Sequence, residues 1–139
     1  MANEVINVTY FVPTELSTTS TECGIWGNVT GDSYTLAGAT LQSPNAITGS
    51  ASAYFRTELH MANDDGHATV MGTLSFLAAT SAIANSPEDF TLSSTASALV
   101  VADGEGVSLL FTDVGATNTT IAANTCVTLH LLRGEGAGQ

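Results

Sequence analysis

The sequence predicts an all-β chain, a single β-sandwich or jelly-roll domain of about eight to nine short antiparallel strands. Three observations predict it. Apolar and polar residues alternate with a period of two in several windows, the pattern of strands with one buried face. Turn signals built from Asn, Asp and Gly recur between those windows. The 21 threonines and 13 serines among 139 residues supply polar positions that favour strands and carry no charge.

Residues 5 to 12 open the series, with Ile6, Val8, Tyr10 and Val12 on one side. Residues 14 to 32, TELSTTSTECGIWGNVTGD, are polar and Thr-rich around Trp26 and read as a long connection or an edge strand. Strands follow near residues 33–39 and 46–61. Within the second of these, SASAYFRTELH turns Ala51, Ala53, Phe55 and Leu59 inward, and Ser50, Ser52, Tyr54, Arg56, Glu58 and His60 outward. Asn63-Asp64-Asp65-Gly66 forms a hairpin turn, because an Asp-Gly pair tolerates the positive φ such turns need. The next strand is expected near 67–78, although the alanine spacing of residues 73 to 85, TLSFLAATSAIAN, also suits a short helix before Pro87.

Strands near 88–93 and 95–102 lead to Asp103-Gly104-Glu105-Gly106, which reads as the turn of a second hairpin into a strand near 107–113. Both arms of that hairpin are apolar on both faces, Leu99, Val100 and Val101 facing Leu109, Leu110 and Phe111. Strands buried on both sides sit centrally or in a subunit interface, so Leu99, Val101, Leu109, Leu110 and Phe111 are the candidate interface residues. Strands near 118–122 and 125–133 end the series, with Val127, Leu129 and Leu131 alternating with Thr128 and His130. Residues 134–139, GEGAGQ, read as a mobile tail. No repeat or linker divides the chain, so residues 1–139 read as one domain.

Charge narrows the role. Thirteen acidic residues face only Arg56 and Arg133, there is no lysine, and the net charge is −11. Two scattered arginines do not build the basic patch that nucleic acid or an anionic membrane surface requires. No run approaches the ~20 apolar residues of a membrane span. Charged residues are only 11% of the chain. Such scarcity fits either adaptation to a host or a saline environment, or a surface covered in an assembly, since interface cores are depleted in Lys, Glu and Asp. The N-terminus carries Glu4 where a signal peptide carries positive charge, so synthesis in a cytoplasm without export by that route is expected. That setting favours free thiols at Cys23 and Cys126 over a disulfide.

Catalytic and metal-binding patterns fail one by one. Asp64 with Asp65, Glu88 with Asp89, and Asp103 with Glu105 are carboxylate pairs in predicted turns, where acidic residues are solvated. Aligning MANDDGHATVMG to the helix-loop-helix calcium loop puts Met61 and Gly72 at ligand positions, leaving only an irregular loop site conceivable at Asp64 and Asp65 or at Asp103 and Glu105. His60 and His67 flank one turn, but with His130 distant they fall short of a zinc ligand set. There is no G-x-S-x-G elbow and no lysine for a Schiff base or a phosphate loop. The glycines at 134, 136 and 138 lead into no helix, which removes a dinucleotide reading. The sequons at Asn7, Asn28 and Asn118 are no more than composition produces by chance. Trp26, Tyr34 and Tyr54 serve packing more readily than sugar stacking.

The sequence therefore predicts a non-enzymatic protein without cofactor or metal, whose partners are other protein subunits in a homo-oligomer or capsid lattice. The role expected is a virion component, such as a capsid decoration or cement subunit or a small capsid or tail protein, located in the virion after synthesis in the host cytoplasm. The alternative is an extracellular carbohydrate-binding or adhesive β-sandwich module, possible with calcium. An enzyme using Asp64, Asp65 and His60 or His67 stands last, because β-sandwiches host active sites that a single sequence conceals.

Overall fold

In the computed structural model, residues 4–16, 20–63, 66–77, 80–115 and 121–133 are described, and they form ten strands and one 3-10 turn. The strands are β1 (Val5–Phe11), β2 (Ser20–Gly27), β3 (Tyr34–Gln42), β4 (Ala53–Asn63), β5 (Gly66–Ser75), β6 (Pro87–Asp89), β7 (Thr91–Leu92), β8 (Val100–Val101), β9 (Gly106–Gly115) and β10 (Cys126–Arg133), with the 3-10 turn at Ala96–Leu99 before β8. One sheet runs β1-β10-β3-β6, with β8 also on β3, and the other runs β2-β9-β4-β5-β7. Every pairing between these strands is antiparallel.

The order of pairing gives the fold its name. The first strand pairs with the last, and the second with the last but one. The third and fourth then lie inside them, one in each sheet. A long antiparallel ribbon rolled over itself makes this arrangement, a jelly roll. Period-two alternation is what lets the two sheets face each other, and β1 keeps it without a break, exposed and half-buried residues taking turns from Val5 to Phe11. The core between the sheets joins Leu36, Leu41, Leu129 and Leu131 of the first to Phe55, Leu59, Leu109 and Phe111 of the second, all essentially without solvent contact. Thr57 also points inward, and its hydroxyl is satisfied by donating to the Leu74 carbonyl at 2.9 Å. A buried hydroxyl without such a partner would destabilise the core.

The β4-β5 hairpin forms where the sequence places it, with Gly66 at φ 109° in its turn. Asp64 and Asp65 lie outside the described residues, as do residues 134–139 and Asn118. The Thr-rich segment around Trp26 is an edge strand, β2, bulged between Gly24 and Trp26.

Three expectations are corrected. The strand expected from residue 46 starts at Ala53, with only isolated bridges at Ile47 and Ser50 before it. Much of the strand expected near 95–102 is the 3-10 turn, and only Val100 and Val101 are extended. The hairpin around Asp103 to Gly106 does not exist: β8 pairs with β3, Val101 opposite Tyr34, whereas β9 pairs with β2 and β4 in the other sheet. The turn, with Gly104 at φ 91°, carries the chain from one sheet to the other. Asn28 anchors that crossing. Its amide nitrogen donates to the carbonyls of Asp32 (2.8 Å) and Val101 (2.9 Å), while its side-chain oxygen accepts from the Thr30 N–H and hydroxyl. Its own N–H donates to the Glu105 carbonyl and its carbonyl accepts from the Gly104 N–H. The side chain is fully buried, which removes it as a glycosylation acceptor in the folded chain.

Candidate functional site

Val101, Leu109 and Phe111 are at most 1% exposed within the single chain, so three of the five candidate interface side chains are used by its own core. Leu99 is half-buried against that core at the end of the 3-10 turn. Leu110 points the other way, half-buried on the outer face of the second sheet between Glu22 of β2 and Glu58 of β4, its register partners. The surfaces open to a partner are therefore the outer faces of the two sheets, and their chemistry differs.

The outer face of the second sheet gathers charge. Glu22 accepts a hydrogen bond from the Ser108 hydroxyl at 2.6 Å, and its carboxylate oxygens lie 3.1 Å from His67 Nδ1 and 3.3 Å from His60 Nδ1. His60 Nε2 is 2.9 Å from Glu58, whose other oxygen lies 3.7 Å from Arg56 Nε. Strand geometry explains the gathering. Ser108 stands between His60 on one side and Gly24 on the other, which brings Glu22, two residues from Gly24, within reach of Ser108 and His60. Burial pushes the Glu22 carboxyl up, but the Ser108 hydroxyl and the charges of His67 and His60 outweigh it and hold the group below its ordinary 4.5. The two histidines that flank the β4-β5 turn do meet a common carboxylate, yet no group of three His, Cys, Asp or Glu side chains suited to a metal occurs among the described residues. Glu22 was not legible as their partner, because it sits on a strand whose sequence lacks alternation.

The outer face of the first sheet is the reverse. In register across it run Asn7, His130 and Gly38, then Thr9, Thr128 and Thr40, then Phe11, Cys126 and Gln42. None of these carries a carboxylate, lysine or arginine, and acidic residues begin only at the border strand β6, with Asp89 beside Thr40. Val5 is 47% exposed and Phe11 59%. The threonine hydroxyls of Thr9 and Thr128 bond each other at 3.2 Å, and His130 Nδ1 lies 2.9 Å from the Asn7 side-chain oxygen, so these four side chains are paired within the face. Both cysteines are free thiols, Cys126 on this face and Cys23 turned toward the inside of β2.

Elsewhere the chemistry is sparse. A groove of about 590 Å³ opens between β3, β4 and the 3-10 turn, lined by Thr35, Met61, Ala96, Val100 and Glu105 among others. Glu105 is its one titratable side chain among the described residues, and one of its oxygens already accepts the Ala102 N–H at 2.8 Å. Acid and base work needs a second group within reach, and the lining does not offer one. Tyr34 is buried and its ring meets Trp26 edge-on at 5.9 Å, while its hydroxyl donates to Glu4 at 2.6 Å. Two of the three candidate sugar platforms are thus engaged with each other. Among the described residues no helix is long and apolar enough to cross a membrane.

No protein-family model matches the chain, and no curated protein matches it. Among solved structures it is similar to chains of infectious bursal disease virus. It shares 13% identity and a TM-score of 0.49 with the Gx strain structure, covering 99% of this chain and 33% of that one. With the VP2 subviral particle of the same virus it shares 12% identity and a TM-score of 0.46, covering 97% and 34%. The chain spans about a third of the length of those chains, and the likeness is one of overall shape.

Proposed function

We propose that this chain is a non-enzymatic structural subunit that packs against copies of itself through the outer face of the β1-β10-β3 sheet, as a component of a virus particle. One observation carries the reading: in a chain of net charge −11, the outer positions of three adjacent strands hold no charged side chain. Two acidic copies repel wherever carboxylates meet, and this face lets them approach without setting like charges together. Exposed Val5 and Phe11 supply apolar area, and depletion of Asp, Glu and Lys is the compositional mark of interface cores. The jelly roll is an architecture used by viral capsid and lectin domains. The lectin alternative is weakened here because Trp26 and Tyr34 pack on each other.

Under this reading the chain is a capsid, decoration or tail subunit, reaching the virion after synthesis in the host cytoplasm. Nucleic acid is not a partner, as both arginines lie beside carboxylates, Arg56 near Glu58 and Arg133 with Asp32. Leu99 and Leu110 keep surface for secondary contacts, while Val101, Leu109 and Phe111 contribute by holding the sheets together. Sedimentation and electron microscopy of the purified chain test the reading. Symmetric multimers that are lost in a folded Thr128→Glu variant support it; a monomer at every concentration, or one that binds a defined glycan instead, overturns it.

A further inference from the structure

A sandwich has four exposed sheet edges, and proteins that stay monomeric blunt theirs with charges, prolines, bulges or short strands. Three of the edges here are blunted. β7 has two residues, β6 has three including Pro87 and two acids, with two-residue β8 beside it on β3, and β2 is bulged and carries Glu22. β1 is different. Its seven residues, VINVTYF, hold no charge, no proline and no bulge.

Its hydrogen-bonding groups are already aimed. The Glu4 carbonyl accepts from the Arg133 N–H at 2.8 Å, and the Val12 N–H donates to the Thr125 carbonyl at 2.8 Å, so Glu4 and Val12 turn their backbone groups toward β10. The register between them is continuous, and in an antiparallel ladder such residues alternate with ones that turn away. Ile6, Val8 and Tyr10 therefore also face β10. Val5, Asn7, Thr9 and Phe11 direct their N–H and C=O groups out of the sheet, with no partner strand among the described residues.

We infer that β1 pairs antiparallel with β1 of a second copy, about a twofold axis at Val8, so that the β1-β10-β3 sheet continues from one subunit into the next. The inference rests on the reading of the chain as a self-assembling subunit and adds a second contact between copies, at the edge of the sheet whose outer face that reading covers. The strand is self-complementary in this register. Asn7 falls opposite Thr9 of the other copy and Val5 opposite Phe11, so all four outward-directed residues meet residues of the same hydrogen-bonding parity. The exposed Val5 and Phe11 side chains then cover each other at both ends of the junction. Charge decides the direction. Parallel pairing would set Glu4 beside its counterpart, whereas the antiparallel pair holds the two about 26 Å apart at ~3.3 Å per residue, well beyond the screening length.

Backbone hydrogen exchange on the assembled and the dilute chain, with two variants, tests this. In the assembled form the amides of Val5, Asn7, Thr9 and Phe11 should become protected, and dilution should release them. Thr9→Pro removes an edge donor while leaving the β10 ladder intact, and should weaken association by roughly tenfold to a hundredfold; Thr9→Ala should associate like the parent. Circular dichroism checks that Thr9→Pro folds, and if it does not, Asn7→Lys replaces it with the same expected loss. Assembly in which the four amides still exchange freely, or in which a folded edge variant associates like the parent, overturns the edge pairing. If assembly then still fails in Thr128→Glu, the face reading survives its loss; a parent chain that never associates overturns both.

Discussion

Glu22 on β2 and His60 on β4 meet at 3.3 Å across the intervening β9, and with Ser108 of β9 and His67 of β5 the one carboxylate ties together four strands of the second sheet. His60 is 9% exposed although it sits on the outer face, with a carboxylate oxygen near each ring nitrogen. The arrangement predicts a pH response. The Glu22 carboxyl is held below its ordinary value, so its contribution to stability is present above about pH 4.5 and is lost as pH falls through the depressed folded value. Glu22→Gln should lower stability at pH 7 and flatten the acid limb below that point. Urea midpoints measured for both chains between pH 7 and 3 check this; parallel curves would contradict it.

Tyr10 carries a second titration. The hydrogen bond with Cys23, then burial, then the charge of Cys23 push its hydroxyl up to about 12. A folded value above the unfolded value of 10 means stability that is present below pH 10 and is lost as pH rises through about 12. Ultraviolet titration should show a late-ionising tyrosine that moves back toward 10 in Cys23→Ala.

Phe111 and Leu109 act inside the single chain. Phe111→Ala should cost about 3–5 kcal/mol and Leu109→Ala about 2–5 kcal/mol, through lost burial and the cavity left behind. The losses should appear in the unfolding of the dissociated chain, and Asp103→Asn, at the exposed turn between the sheets, should be far milder. Denaturant titration at concentrations too low for assembly makes the comparison.

Asn28→Ala leaves the Asp32 and Val101 carbonyls without their amide donor. A cost of about 1–3 kcal/mol is expected from groups left unpaired in a buried site. Faster amide exchange at Gly104, which donates to the Asn28 carbonyl, should accompany it as the crossing loosens.

The class of the fold was legible because alternation survives wherever one face of a strand is buried, as at residues 5 to 12 and 127 to 131. β2 was legible only as one of two alternatives, a long connection or an edge strand, because an edge strand with Gly24, a bulge and Glu22 needs little apolar periodicity. The error at Asp103 to Gly106 has a general cause. A positive φ at Gly104 specifies a sharp turn, but not whether the chain returns to the same sheet, and the apolar runs on either side belong to opposite walls of one core. The Glu22 cluster needed the three-dimensional register, since His60 and Glu22 are far apart in sequence. The uncharged face needed it too, being assembled from three segments at the two ends and the first third of the chain.

The central claim is that this face is covered when copies assemble, and Cys126 lies on it in register with Phe11 and Gln42. Its reaction with a small thiol reagent, followed by mass spectrometry over a range of chain concentrations with Cys23 as internal reference, is the most direct measurement. Cys126 should label readily in the dilute chain and become protected as multimers form; labelling at the same rate in monomer and multimer would contradict the account.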